Sequence, residues 1–92
     1  MRLVWAAAAL RDLAAARAYI AHDNPPAADN QIGRILVSVT RLLRFPEIGR
    51  PGRRGGTREL VVAKLPYIIA YRLVRSEAVQ VLRIWHGAQD RH

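Results

Sequence analysis

The sequence predicts an α+β domain in the order β-α-α-β-β-β, an αα-hairpin packed on a mainly antiparallel sheet. Three observations carry this. Two segments in the first half repeat apolar residues at three- and four-residue steps, the period of a helix. A stretch rich in Gly, Pro and Arg then divides the chain. Beyond it lie three runs rich in Val, Ile, Leu and Tyr, separated by short prolyl or polar turns, as the strands of an antiparallel meander are. With 92 residues, 51% of them apolar, the chain can fill one core and not two, so residues 1–92 are expected to form a single domain.

Arg2-Leu3-Val4-Trp5 reads as a short strand whose register the sequence does not supply. The alanine-rich segment after it is expected to be helical, with Leu10, Leu13, Ala16 and Ile20 on one face and Arg11 and Asp12 turned away. Asn24 followed by Pro25 has the form of an N-cap and a first-turn proline, so a second helix starts there. Its apolar stripe is Ala28, Ile32, Ile35, Val39 and Leu42, widened by Leu36 and Leu43, and opposed by Gln31, Arg34, Ser38 and Arg41. Pro46 should stop it near Arg44-Phe45. Two helices joined by so tight a break form an αα-hairpin, each with one side that a sheet must cover. The stretch from Ile48 to Thr57 holds four Gly, one Pro and three Arg in ten residues and is expected to be loop. Arg58–Lys64 follows as a strand, and Leu65-Pro66 turns the chain. Two strands flanking Arg75-Ser76-Glu77 complete the meander, which Gly87 ends.

Composition excludes several function classes. No apolar run approaches the roughly 20 residues that span a bilayer. Arg11 and Asp12 interrupt the N-terminal apolar run too early for a signal peptide, so a cytoplasmic protein with no membrane partner is expected. Cysteine is absent, which removes disulfides and thiolate metal sites. His22, His86 and His92 are scattered and lack carboxylates at useful spacing, so neither a metal nor a cofactor is expected. The glycines of GRPGRRGG precede a strand rather than a helix and lack a Lys-Ser/Thr pair, unlike a phosphate loop. No nucleophile elbow is present either.

Charge points to an acidic partner. The net charge of +8 is uneven: residues 1–40 hold four Arg against three Asp, while residues 41–92 hold eleven Lys and Arg against four Asp and Glu. The second half, at +7, carries the field, which suits nucleic acid or an acidic protein segment. Within it, Arg50, Arg53 and Arg54 lie close to Arg58, and guanidiniums so grouped suit phosphate or carboxylate recognition. Arg72, next to Tyr71, with Trp85 and Gln89 on the last segment, completes the candidate contact residues. A catalytic alternative uses His86, Arg83 and Arg58. RNA can be cleaved without metal when a base near neutrality takes the 2′-hydroxyl proton and cations stabilise the pentacovalent phosphate. That requires the sheet to gather the three; otherwise His86 closes a strand and packs on Trp85.

The segments YIAHDNPPAA, FPEIGRPGRR, GTRELVV, LPYIIAYRL and VLRIWHGAQD resemble toxins of bacterial type II toxin–antitoxin modules in the RelE/ParE superfamily, over essentially the whole chain. The resemblance implies the same β-α-α-β-β-β order. It also implies one of two activities: members similar to RelE are ribosome-dependent ribonucleases that cleave translated mRNA, and members similar to ParE bind and inhibit DNA gyrase. Where many of the nucleases carry an arginine early in the strand YIIAYRL, this chain has Ile68. Where some carry a carboxylate after Gly-Lys-Pro, it has Gly52 after Gly49-Arg50-Pro51, and Gly87 replaces the aromatic or basic residue after histidine. Only His86 remains of that set. The chain is more similar to the ParE branch, in which an apolar residue precedes the Tyr-Arg pair and a histidine closes the last strand. Gyrase inhibition is thus the implied activity and mRNA cleavage the alternative, with a non-toxic nucleic-acid-binding module as a third class. The resemblance further implies a cognate antitoxin, with a ribbon-helix-helix or similar DNA-binding domain and a C-terminal tail that wraps the toxin. An acidic, amphipathic tail would match the +7 half and fill apolar grooves beside the αα-hairpin.

Overall fold

Asn24 ends one helix and begins the next. In the computed structural model, which describes residues 1–87, α1 spans Ala7–Asp23 and α2 spans Pro25–Arg41. The Asn24 side chain accepts from the Ala27 N–H at 3.1 Å, its own N–H donates to Ile20 O at 3.0 Å, and Pro25 occupies the first helical position. One residue thus serves both helix ends, which is why the αα-hairpin is so tight. An Arg17–Asp29 ion pair ties the two helices across their exposed sides.

Five strands form one sheet in the order β1-β5-β4-β3-β2: β1 (Arg2–Trp5), β2 (Arg50–Pro51), β3 (Arg58–Val61), β4 (Tyr67–Val74) and β5 (Ala78–His86). The first strand, whose partner the sequence leaves open, lies parallel to β5 with Leu3 opposite Val79 and Trp5 opposite Val81. All other pairs are antiparallel. The order β-α-α-β-β-β therefore holds, with one addition. Arg50–Pro51, expected to be loop, pairs with Arg58–Glu59 as a two-residue edge strand. Pro51 is tolerated there because an edge position needs no inward donor from it. Strand β3 also stops at Val61, short of the expected Lys64, where the chain turns into β4 with Lys64 at φ 62.

The core lies between the helix pair and one face of the sheet. Ile35, Val39 and Leu42 of α2 and its following turn meet Tyr67, Ile69, Tyr71, Val79, Val81 and Ile84, with Leu13, Ala16 and Ile20 of α1 packed against them. Three sequence expectations are corrected here. Leu10, placed on the buried face of α1, is 51% exposed, because α1 begins beside the parallel β1–β5 pair and turns Ala9 inward instead. Leu36, placed on the margin of the α2 stripe, is also exposed, whereas Arg34 from the supposed outer face is half-buried and donates to Ala63 O at 2.8 Å. Helix α2 ends at Arg41 rather than near Phe45, the chain tightening into three-residue turns at Leu43 and Arg44 before Pro46. No helix among the described residues is long and apolar enough to cross a membrane.

Candidate functional site

The glycine- and arginine-rich stretch is a hairpin. Gly52 N–H donates to Thr57 O at 2.8 Å, and Thr57 closes the tip by donating its N–H and its hydroxyl to Arg54 O at 3.1 and 2.6 Å. The strands at this rung approach so closely that a Cβ on Gly52 would stand 2.3 Å from Thr57 Oγ1. Gly56, at φ 78, takes the left-handed conformation that the return requires. Arg53 and Arg54 sit exposed at the tip, and Arg50 and Arg58 lie at the base. Arg50 is half-engaged: its Nη2 lies 3.5 Å from the Glu59 carboxylate, which is only 6% exposed. Arg58 turns the other way and donates from Nη1 to Glu47 O at 3.1 Å and Gly49 O at 2.8 Å.

Side chains alternate along a strand, so cross-strand partners share a face. Arg50, Glu59, Ala70 and Arg83 form one row on the face away from the helices, and Val61, Ile68 and Trp85 form the next. Arg72 continues that face and donates from Nε to Gln80 Oε1 at 2.8 Å, so it pairs across the strand instead of stacking on its neighbour Tyr71. Four predicted residues, Arg50, Arg72, Arg83 and Trp85, thus share the helix-free face, with Arg53 and Arg54 on the hairpin beside it. Gln89 lies outside the described residues.

The catalytic alternative does not assemble. His86 lies opposite Tyr67, ring centroids 5.4 Å apart and planes at 80°, on the side of the sheet that carries the core. Arg58 shares that side but pairs with Tyr71, four residues further along β4, roughly 13 Å away at the rise of a strand. Arg83 faces the other way. Its guanidinium grips Asp12 of α1 through Nε–Oδ2 at 2.7 Å and Nη2–Oδ1 at 3.1 Å, and this bond raises the arginine pKa. Asp12 also accepts from Ile84 N–H at 2.9 Å, contrary to the expectation that it turns away. Strand β1 covers β5 only as far as Val81, so beyond it the Asp12 carboxylate takes the place of a neighbouring strand. Nothing in the local pattern around Asp12 signals this, because its partners lie more than 70 residues away. The role of Glu59 is likewise set by a contact between elements, and its visible signal in the sequence is a carboxylate inside a strand beside an arginine cluster. Among the described residues no group of three or more His, Asp or Glu gathers as metal ligands would.

Comparison with known proteins agrees with this architecture. Residues 3–91 match the family model of the ParE toxin of the type II toxin–antitoxin system parDE. Protein Y4kP of Sinorhizobium fredii is 46% identical over 97% of this chain and 91% of its own length. Toxin RelE2 of Caulobacter vibrioides is 39% identical over 96% and 97%. In the structure of a chromosomal ParDE toxin–antitoxin system from P. aeruginosa, one chain superposes with a TM-score of 0.83 at 28% identity, covering 94% of this chain and 95% of that one. Two helices on one face of a five-stranded, mostly antiparallel sheet, together with these matches, place the chain in the ParE toxin family of type II toxin–antitoxin systems, within the RelE/ParE superfamily.

Proposed function

We propose that this toxin acts on DNA gyrase as a binding inhibitor, that it works in the cytoplasm as a single domain over residues 1–92, and that a cognate antitoxin carrying a ribbon-helix-helix DNA-binding domain neutralises it. The observation that carries the choice of target is the separation of the catalytic candidates. His86 packs edge-on against Tyr67, Arg83 is held by Asp12, and Arg58 is spent on the carbonyls of Glu47 and Gly49. Ile68, where the superfamily's nucleases are expected to place an arginine, is 7% exposed. The two arginines predicted to stabilise a pentacovalent phosphate beside the imidazole, a contribution on the order of a few kcal/mol in such sites, are engaged elsewhere.

The antitoxin partner is supported by the family itself and by the ParDE neighbour, which is a toxin–antitoxin system. The surface proposed for it is the helix-free sheet face with the arginine hairpin, where Arg50, Arg53, Arg54 and Arg72 lie on or beside the face that also carries the half-buried Trp85 and match an acidic, amphipathic tail. The name of the Caulobacter relative, RelE2, favours mRNA cleavage as a second reading. Both are tested by presenting toxin freed of antitoxin to gyrase supercoiling with cleavage-complex trapping and, in parallel, to translating ribosomes. Blocked supercoiling with intact mRNA is the expected result. Cleaved mRNA with unaffected gyrase would overturn the proposal and require His86 to recruit cations from the ribosome.

A further inference from the structure

Four hydrogen bonds converge on residues 46–49, the segment through which the chain leaves α2 and enters the arginine hairpin. Tyr71 on β4 is fully buried, yet both functions of its hydroxyl are used: it donates to Pro46 O at 2.7 Å and accepts from Gly49 N–H at 2.9 Å. Arg58 supplies the other two, to Glu47 O and Gly49 O. Gly49 passes so close to the phenol that a Cβ there would lie 2.6 Å from Tyr71 Oη and 3.0 Å from Glu59 O. Arg50, the first residue of the hairpin, follows directly.

The hairpin is otherwise weakly tethered. Strand β2 contributes two residues to the sheet and pairs with β3 alone, while β3 joins β4 only from Arg58 onward. The β3 arm is therefore fixed by β4, and the β2 arm by whatever holds Gly49. We infer that Tyr71 is a positioning residue: its hydroxyl sets the angle at which the hairpin leaves the sheet, and so the spacing at which Arg50, Arg53 and Arg54 meet an acidic segment of the antitoxin. This rests on the proposal that the hairpin binds the antitoxin.

A double-mutant cycle separates the two. Tyr71→Phe keeps the ring in the core and removes the hydroxyl; Arg53→Ala with Arg54→Ala removes the tip charges. Affinity for the antitoxin encoded beside the toxin is measured by titration calorimetry for both variants and their combination, with circular dichroism to verify folding. Each change alone is expected to weaken binding about tenfold, and Tyr71→Phe is expected to add less than about twofold once the tip arginines are gone. If the tip variant binds as tightly as the parent, the hairpin is not the antitoxin site and the inference falls with it. If the tip variant weakens binding but the Tyr71→Phe loss adds in full, the site stands and Tyr71 is only structural. Should Tyr71→Phe not fold, Arg58→Met cuts the other two bonds from a half-exposed position and enters the same cycle, with full additivity again overturning the inference.

Discussion

Asp12 accepts three hydrogen bonds from neighbouring residues of β5, two from the Arg83 guanidinium and one from the Ile84 backbone N–H, which no strand covers. The carboxylate is mostly shielded, at 18% exposure, whereas Arg83 is about half exposed. Removing each partner should therefore differ. Asp12→Ala strands the Ile84 N–H and is expected to cost about 2 kcal/mol in denaturant unfolding. Arg83→Ala leaves that bond intact and loses a solvent-screened contact, at about 1 kcal/mol or less. Equal losses would mean that the Ile84 bond contributes nothing. Two tyrosines give a second residue-level test. Burial raises the pKa of Tyr71, against the lowering effect of the Gly49 bond and the Arg58 charge, and burial also raises that of Tyr67. The folded state holds both protons more tightly than the unfolded chain. Their contribution is complete below about pH 10 and disappears as pH rises through the folded-state values. Phenolate absorbance is expected to show two tyrosines titrating late and together with unfolding, and Tyr71→Phe should reduce that late fraction by one.

At the scale of elements, the β4–β5 hairpin carries a removable cost. Its turn is closed by Glu77 N–H to Val74 O at 2.9 Å, and both central residues, Arg75 at φ 54 and Ser76 at φ 57, are left-handed without being glycine. That geometry favours Asn-Gly, so Arg75→Asn with Ser76→Gly is expected to raise stability by about 1 kcal/mol, read as a shift of the denaturant midpoint at unchanged slope. The turn was legible because a polar triplet between two β-rich runs is a local signal. The helices were legible for the same reason, since Asn24-Pro25 and the Ile32–Leu42 stripe are patterns within one element. What was not legible depends on distant partners. Arg50–Pro51 becomes a strand only because Arg58–Glu59 is beside it. Arg34 turns inward only because the chain beyond β3 leaves Ala63 O within its reach. At the candidate site the same division holds: the arginine cluster stands out in the sequence, but the face that Arg50, Arg72, Arg83 and Trp85 share is a product of register, and the roles of Asp12 and Glu59 arise from contacts between elements.

For the molecule as a whole, the governing quantity is the field of a +8 chain whose charge is concentrated in residues 41–92. Replacing Arg50, Arg53 and Arg54 by Glu changes the formal charge by six units on the hairpin and the face beside it. The antitoxin complex is expected to weaken at least tenfold at about 0.1 M salt and to lose most of its salt dependence, because an exposed charge pair acts over roughly a 10 Å screening length. An unchanged dissociation constant would count against the proposed surface. The same whole-molecule view gives the parallel pairing of β1 with β5 a meaning in time. Trp5 must wait for Val81, and at a synthesis rate of about 5–20 residues per second the interval between them is roughly 4–15 s. From the completion of α2 at Arg41 until Val81 is made, the helix hairpin exists while the sheet that covers Ile35 and Val39 is incomplete. A growing chain therefore passes through a window in which its core stripe is accessible and its sheet does not yet exist, so an antitoxin made first would meet a toxin that is still assembling.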